Sequence, residues 1–156
     1  MTRLSIPTAP SPCENTGLDV AILLDRTRSL SIGDYMLAKG FIAELVGGLD
    51  IGPDATHVGL IRFARNPRVD ITFADGKYHD QTALIRFIER LSNSRGGRTH
   101  IDRALLAANN SLFTPAGGDR EMFPNVLVIL TDGRTHPSSI PFGAIVPSLQ
   151  VSLFTQ

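Results

Sequence analysis

Two hydroxyl side chains follow a carboxylate at the end of a strand-forming run. The run "DVAILLD" covers residues 19–25, and Asp25 is followed by Thr27 and Ser29. A buried strand has no need of this ending, so it indicates a chemical task. Side chains two residues apart in an extended or turning segment can point the same way. Thr27 and Ser29 can therefore place two neutral oxygens beside the Asp25 carboxylate, and oxygen is the ligand that hard divalent cations take.

Two further segments supply oxygen ligands. The segment "RGGRTH" at 95–100 contains Thr99, and "TDGRT" at 131–135 contains Asp132. With the first segment they offer two carboxylates and three hydroxyls, so an ion that keeps some of its waters would retain affinity for one more anionic oxygen. We expect Mg²⁺ or Mn²⁺ at this site, with an aspartate or glutamate of a protein partner completing its coordination. None of the candidate ligands is an obvious general base or nucleophile, which argues against an enzyme.

Alternating strands and helices are predicted to bring these segments together. Ser31 and Asp34 form a capping-box pattern, and apolar residues then recur at helical spacing as far as Leu49. Further strands are predicted at 57–64, 68–73 and 125–130, and further helices at 80–91 and 101–112. This alternation predicts an α/β fold, with a doubly wound, mostly parallel sheet and helices on both faces. The ligand site of such a sheet lies beyond the carboxyl ends of the strands, where the strand order reverses.

One predicted strand has a water-facing side. In "RVDITF" at 68–73 apolar and polar residues alternate, so Asp70 is expected on the wet face of an antiparallel edge strand that a hairpin joins to its neighbour. The carboxyl-terminal part of the sequence is less regular. Residues 141–150 are consistent with a short helix broken by a proline, and "VSLF" at 151–154 with a last strand.

These motifs, in this order, resemble the metal-ion-dependent adhesion site of von Willebrand factor type A domains, which also occur in integrins and matrix proteins. Asp25, Thr27 and Ser29 match the family's Asp-x-Ser-x-Ser motif, Thr99 its threonine after paired glycines, and Asp132 the aspartate of "LTDG". The resemblance covers residues 18–135. It implies a Rossmann-like fold, coordination of a divalent cation by these five residues, and capture of an acidic side chain from a matrix or cell-surface partner.

Arginines flank all three motifs. Arg26 and Arg28 stand where the family usually has small or neutral residues, and Arg98 and Arg134 lie beside the other two motifs. Unscreened, their charges would oppose a bound cation, whereas arginines turned outward would attract acidic partners. An alternative function is therefore metal-independent binding of acidic surfaces or sulfated glycans by this arginine-rich rim.

The chain is expected to hold one domain, at residues 18–156, after a flexible leader at residues 1–17 that is rich in Pro, Ser and Thr. The resemblance implies that the family's last strand and closing helix are missing and that the chain belongs to a larger, extracellular protein. Cys13 is the only cysteine. It is either a solvated thiol of the leader or an orphan whose partner lies outside this chain.

The overall composition narrows the range of partners. Lysine plus arginine and aspartate plus glutamate both number 15, so the net charge gives no indication of nucleic-acid or membrane-surface binding. No apolar run approaches the roughly 20 residues that span a bilayer. The first dozen residues lack the apolar core of a signal peptide.

Other interpretations of the same residues stay open. Asp25 alone is compatible with a strand-end cap and Asp132 with a turn, and only their combination with Thr99 favours a metal site. We interpret His100 and His136 as rim or surface histidines, because no cysteine or glutamate stands at zinc-ligand spacing. An aspartate after a buried strand also begins phosphotransferases of the haloacid-dehalogenase kind, but these need a second carboxylate two residues later, where this chain has a threonine.

Overall fold

The computed structural model describes residues 17–132, Pro137 and the backbone of residues 151–153. In this part of the chain, strands and helices alternate in the predicted order. The elements are β1 (Asp19–Asp25), α1 (Ile32–Gly47), β2 (His57–Phe63), β3 (Pro67–Ile71), α2 (Gln81–Glu89), α3 (Ile101–Ala107), β4 (Asn125–Leu130) and β5 (Val151–Leu153). A 3₁₀ turn at Gly76–Tyr78 precedes α2, and a π-helical turn at Ala108–Leu112 extends α3.

Strand β1 lies between two hydrophobic cores because its side chains are apolar on both faces. Val20, Ile22 and Leu24 belong to the core that α1 and α2 cover, whereas Ala21 and Leu23 belong to the core that α3 covers. Each of the five is at most 3% exposed. A strand buried on both faces is typical of a parallel sheet with helices on either side. The position of β1, and of the loop that leaves it, is therefore fixed by packing from both directions.

The sheet has the strand order β3-β2-β1-β4-β5. β1 is parallel to β2 and β4, β4 is parallel to β5, and β3 is antiparallel to β2. The chain passes from β1 to β2 on one side and later places β4 on the other side, so the strand order reverses between β1 and β4. Such a point leaves a crevice for a ligand at the carboxyl ends of the strands. The predicted fold, a doubly wound and mostly parallel sheet with one antiparallel edge strand, is confirmed.

Helix α1 begins at this carboxyl end of the sheet with the predicted cap. The Ser31 hydroxyl accepts a hydrogen bond from the backbone N–H of Asp34 at 3.0 Å and donates one to the Asp34 carboxylate at 2.7 Å. A cap of this kind stabilises a helix by about 1 kcal/mol. It also determines where the loop after β1 ends, two residues beyond Ser29.

The expectation that Asp70 lies on a wet face of β3 is wrong. The pairing of β2 with β3 slips by one residue, and Asp70 is the extra residue of the resulting bulge. Its side chain is only 3% exposed and accepts two hydrogen bonds from Arg62 on β2, at 2.6 and 3.1 Å, while Val69 is 37% exposed. The bulge turns the carboxylate toward Arg62, and the ion pair makes its burial tolerable.

The helix predicted at 101–112 is α-helical only as far as Ala107. Beyond it the backbone N–H of Phe113 donates to the carbonyl of Ala108 at 3.0 Å, the spacing of a π turn. The wider turn places Leu112, which is fully buried, directly over Gly59 of β2. A Cβ at Gly59 would lie 2.9 Å from the Leu112 side chain, so the turn and the glycine fit each other.

A buried ion pair anchors the loops at the amino ends of the strands. Asp19 is fully buried and accepts hydrogen bonds from Arg120 Nε, Nη2 and the backbone N–H, at 2.9, 2.6 and 2.8 Å. The Arg120 guanidinium also lies 3.6 Å from the centre of the Phe123 ring.

Two histidine rings stack at the start of β2. His57, the first residue of this strand, lies on His79 with the ring centroids 3.6 Å apart, and burial lowers the pKa of His57.

Several predicted features lie outside the described residues. Cys13, Arg134, His136 and the short helix at 141–150 fall there, and the division into a leader and one domain stays a prediction. The strand predicted at 151–154 is present as β5 (Val151–Leu153). Among the helices described, none has the length and apolar character that crossing a bilayer requires.

Candidate metal centre

Asp25 ends the central strand with both carboxylate oxygens held. The residue is fully buried. Its Oδ1 accepts a hydrogen bond from the backbone N–H of Thr27 and its Oδ2 accepts one from the Thr131 hydroxyl, each at 2.8 Å. Each carboxylate oxygen can accept more than one bond. The two hydrogen bonds therefore orient the group and leave it able to bind a cation.

The negative charge of Asp25 is unfavourable in the metal-free chain. Burial raises the pKa of this carboxyl, the hydrogen bonds from Thr27 and Thr131 oppose the rise, and the neighbouring charge of Asp132 adds to it. Two carboxylates that share a partly dry site repel each other, and a cation held by both removes this penalty. Asp25 at the end of β1 and Asp132 beyond the end of β4 thus act on each other across the point where the strand order reverses.

The two hydroxyls after Asp25 lie together, as their spacing predicts. Thr27 Oγ1 and Ser29 Oγ are 2.8 Å apart and share a hydrogen bond. Thr27 is 1% exposed, whereas Ser29 is exposed. Because Thr27 also donates its backbone N–H to Asp25, the loop presents two neutral oxygens next to a fixed carboxylate. One of these oxygens lies inside the protein and the other faces the solvent.

Thr99 belongs to a segment that is bound to the ends of both β1 and β2. The backbone N–H of Gly96 donates to the carbonyl of Arg26 at 2.7 Å, and that of His100 donates to the carbonyl of Ala64 at 3.1 Å. Thr99 lies between these two anchors and is 6% exposed. The structure thus brings the segment that contains Thr99 beside the loop after β1 at the carboxyl end of the sheet, with a buried hydroxyl at the predicted ligand position.

Gly96 lets this segment pack closely, and one expectation about the segment needs correction. A Cβ at Gly96 would lie 2.5 Å from the Ala64 Cβ, so a glycine is needed for the loop to pack against the residue that follows β2. His100 is not a surface histidine: it is 8% exposed, and its Nδ1 lies 3.6 Å from Asp102 Oδ1. Its backbone bond to Ala64 draws the residue inward.

Thr131, which was not among the predicted residues, also belongs to the candidate site. Its hydroxyl donates to Asp25 Oδ2, so it joins the end of β4 to the end of β1. Thr131 immediately precedes Asp132 at the end of an apolar strand, and this position was the available signal. A side chain that fixes a ligand carboxylate in this way is a frequent companion of metal ligands.

The arginines of the predicted rim have different environments. Arg28 and Arg98 are exposed, and Arg134 lies outside the described residues. Arg26 is half-buried and close enough to Tyr35 for its positive charge to oppose the rise that burial causes in the tyrosine pKa. Arg95 donates from Nη1 to the carbonyl of Leu30 at 3.0 Å. Of the rim arginines that the structure describes, Arg28 and Arg98 are therefore the ones exposed to solvent.

The residues at this end of the sheet suit a hard cation. Among residues 17–132 and Pro137, no three or more His, Cys, Asp or Glu side chains are grouped as metal ligands. The candidate donor set consists instead of two interacting carboxylates and three hydroxyls. Mg²⁺ and Mn²⁺ bind oxygen ligands of which only one or two are charged, and they keep some bound waters, for which exposed Ser29 leaves room.

Comparisons with known proteins agree with this architecture. The family model for the von Willebrand factor type A domain matches residues 19–155. Integrin alpha-2 of Bos taurus is 32% identical over 137 residues, which is 88% of this chain and 11% of the integrin. Matrilin-2 of Mus musculus is 31% identical over 147 residues, which is 92% of this chain and 15% of the matrilin.

A solved structure shares the fold. Proximal thread matrix protein 1 from the mussel byssus, with a zinc-occupied MIDAS motif, superimposes with a TM-score of 0.78 at 18% identity and covers 90% of this chain and 38% of its own. The chain thus spans a small part of the curated relatives, and most of it aligns with each. Together with the sheet order and the matched residues, these similarities show that the chain belongs to the von Willebrand factor type A domain family.

Proposed function

We propose that this domain binds one Mg²⁺ or Mn²⁺ ion through Asp25, Thr27, Ser29, Thr99 and Asp132, and that the ion captures an acidic side chain of a protein partner. We place this activity outside the cell, in adhesion or matrix interaction within a larger multidomain protein. The similarity to an integrin and a matrilin supports this role and location. No chemical conversion is proposed, since the site offers no activated nucleophile.

The interaction of Asp25 with Asp132 is the observation that carries the proposal. Asp25 ends β1, and Asp132, 107 positions later in the sequence, follows β4, the neighbouring strand in the sheet. Burial raises the pKa of Asp25, and the charge of Asp132 adds to this rise. A folded protein gains nothing from such repulsion unless a cation offsets it. The adjacent Thr27 and Ser29 hydroxyls supply neutral ligands of the right kind.

The charge of the donor set explains why an acidic partner would bind. Two carboxylates balance a divalent ion, but hydroxyls and water stabilise it less than a third anionic oxygen does. A carboxylate from a partner would replace a bound water at the exposed side, next to Ser29. Arg28 and Arg98, both exposed, would steer the acidic surface toward the ion.

Mn²⁺ and acetate test the capture of a carboxylate without a known partner. Bound Mn²⁺ accelerates the relaxation of water protons through its coordinated waters. We expect acetate to lower this enhancement in the wild-type chain by displacing a water, and neutral acetamide to leave it unchanged. An enhancement that acetate does not alter, with Mn²⁺ bound, would contradict the proposed capture.

The arginines support a second candidate function, binding of acidic surfaces or sulfated glycans without a metal. Three of the loops at the carboxyl end of the sheet, residues 26–31, 64–66 and 90–100, contain no aspartate or glutamate. We call them the arginine face, because they contain Arg26, Arg28, Arg65, Arg90, Arg95 and Arg98. In this case binding to an immobilised sulfated glycan would fall steeply with salt and would ignore both chelator and Asp132→Ala. A flat salt response would exclude it.

A further inference from the structure

The fold separates charges that balance in the sequence. The arginine face lies at the carboxyl ends of β1 and β2, where the metal centre is. The two exposed acids in the adjoining helix turns are Asp34, which is hydrogen-bonded to Ser31, and Glu89. The net charge of zero therefore conceals a positive end of the domain.

The opposite end of the domain is acidic. The loops that precede β2 and β4 and follow the antiparallel β3 are residues 48–56, 113–124 and 72–80. Their acidic residues are Asp50, Asp54, Asp75, Asp80, Asp119 and Glu121, and their basic residues are Lys77 and Arg120. Arg120 is neutralised by the buried Asp19. One end of the domain is thus electrostatically complementary to the other.

A turn at the acidic end presents a carboxylate on a firm support. Glu121 is exposed, and Met122 beside it is 89% exposed. The turn is held on its amino side by the Arg120 clamp on Asp19, and on its carboxyl side by the bond from Asp19 N–H to the carbonyl of Pro124 at 3.0 Å. A rigid turn loses little conformational entropy when it binds.

Glu121 is the best suited of the acids at this end. The Asp75 and Asp80 carboxylates accept hydrogen bonds from the backbone of Thr72 and Ala83, so they are already used within the chain. Asp119 has a buried oxygen. Asp50 and Asp54 are exposed, but their side chains are shorter than that of glutamate, and neither stands beside an exposed apolar side chain comparable to Met122.

We propose that a second copy of this chain is a partner of the metal centre, and that Glu121 of one copy coordinates the ion held by the next. The proposal rests on the metal-dependent function proposed above. Met122 would then contact the end of the domain that carries the arginine face. The first turns of α1 lie at this end, and their Ile32 and Met36 side chains are 49% and 56% exposed. The contact joins two different surfaces, so it does not close on itself and would extend head to tail.

Sedimentation velocity of the whole chain, in Mg²⁺ and in chelator, tests this assembly. At a protein concentration on the order of 100 µM we expect the weight-average mass to rise at least about twofold in Mg²⁺ and to return to that of a monomer in chelator. Glu121→Gln is expected to stay monomeric while it binds Mg²⁺ as the wild type does. Asp54→Asn, which removes another exposed acid from the same end, is the matched control and should assemble normally.

Mixing two deficient variants gives the sharper result. Asp132→Ala lacks the ion site but keeps Glu121, and Glu121→Gln lacks the carboxylate but keeps the site. Each alone should be monomeric, and an equimolar mixture should form a complex of two chains and nothing larger. Assembly of Glu121→Gln like the wild type, assembly in chelator, or a wild type that binds Mg²⁺ and stays monomeric would overturn the proposal. A wild type that does not bind Mg²⁺ would instead refute the metal-dependent function.

Discussion

Replacing Asp25 by asparagine is expected to abolish the response of the domain to Mg²⁺ and to leave the metal-free fold intact. The amide has the shape of the carboxylate and can preserve both hydrogen bonds, since it can accept from Thr27 N–H and the Thr131 hydroxyl can accept from the amide instead of donating. The variant no longer buries a charge, which is the main reason that the pKa of Asp25 is raised, and it also loses the smaller repulsion with Asp132. Its metal-free stability should therefore lie within about 1 kcal/mol of the wild type or exceed it.

Thermal unfolding with and without Mg²⁺ measures both effects. The wild type should unfold at a higher temperature in Mg²⁺, because an ion that binds only the folded state stabilises it. Asp25→Asn should show no such rise, because losing this carboxylate weakens the Mg²⁺ affinity at least about tenfold, or by about 1.4 kcal/mol. Ser31→Ala, which alters the nearby helix cap but no proposed ligand, is the control for a general change in stability. An undiminished Mg²⁺ response in Asp25→Asn would remove this residue from the ligand set.

Replacing Arg120 by methionine is expected to destabilise the domain by about 3–5 kcal/mol, because it leaves a buried charge without its partner. Asp19 is fully buried and receives two bonds from the Arg120 side chain. Urea denaturation gives the change in free energy of unfolding. Arg28→Met, at an exposed arginine, should change it by no more than about 0.5 kcal/mol.

A second substitution separates the charge effect from lost packing. Asp19→Asn combined with Arg120→Met removes both charges, and we expect it to recover a substantial part of the stability that Arg120→Met alone loses. Equal destabilisation of the single and double variants would mean that the stacking of Arg120 on Phe123, not the ion pair, anchors the loop. A loss below about 1 kcal/mol in the single variant would contradict the buried-charge explanation altogether.

The parts of the fold that follow from local sequence were predictable. The aliphatic run of β1, the Ser31 cap of α1 and the order of strands and helices depend on neighbouring residues, and the structure has them as expected. Thr27 and Ser29 point to the same side of the loop, and this also follows from their spacing alone. The resemblance to a known family then indicated that the three distant motifs form one metal site.

The features that were missed depend on contacts between distant residues. The bulge at Asp70 exists because Arg62 on another strand attracts its carboxylate, and alternation within β3 does not reveal it. Thr131 became visible as part of the site only when β4 was placed beside β1. Gly96 is needed because of Ala64, which lies 32 positions earlier in the chain. Sequence periodicity specifies faces, but not which side chains meet across them.

Calorimetric titration of the metal-free chain with Mg²⁺, on the wild type and Asp132→Ala, tests the central claim most directly because it needs no partner. The wild type should bind one ion per chain, and the variant should bind it at least about tenfold more weakly, since one of the two carboxylates is lost. Equal affinity in the two proteins, or no binding by the wild type, would contradict the proposed metal centre.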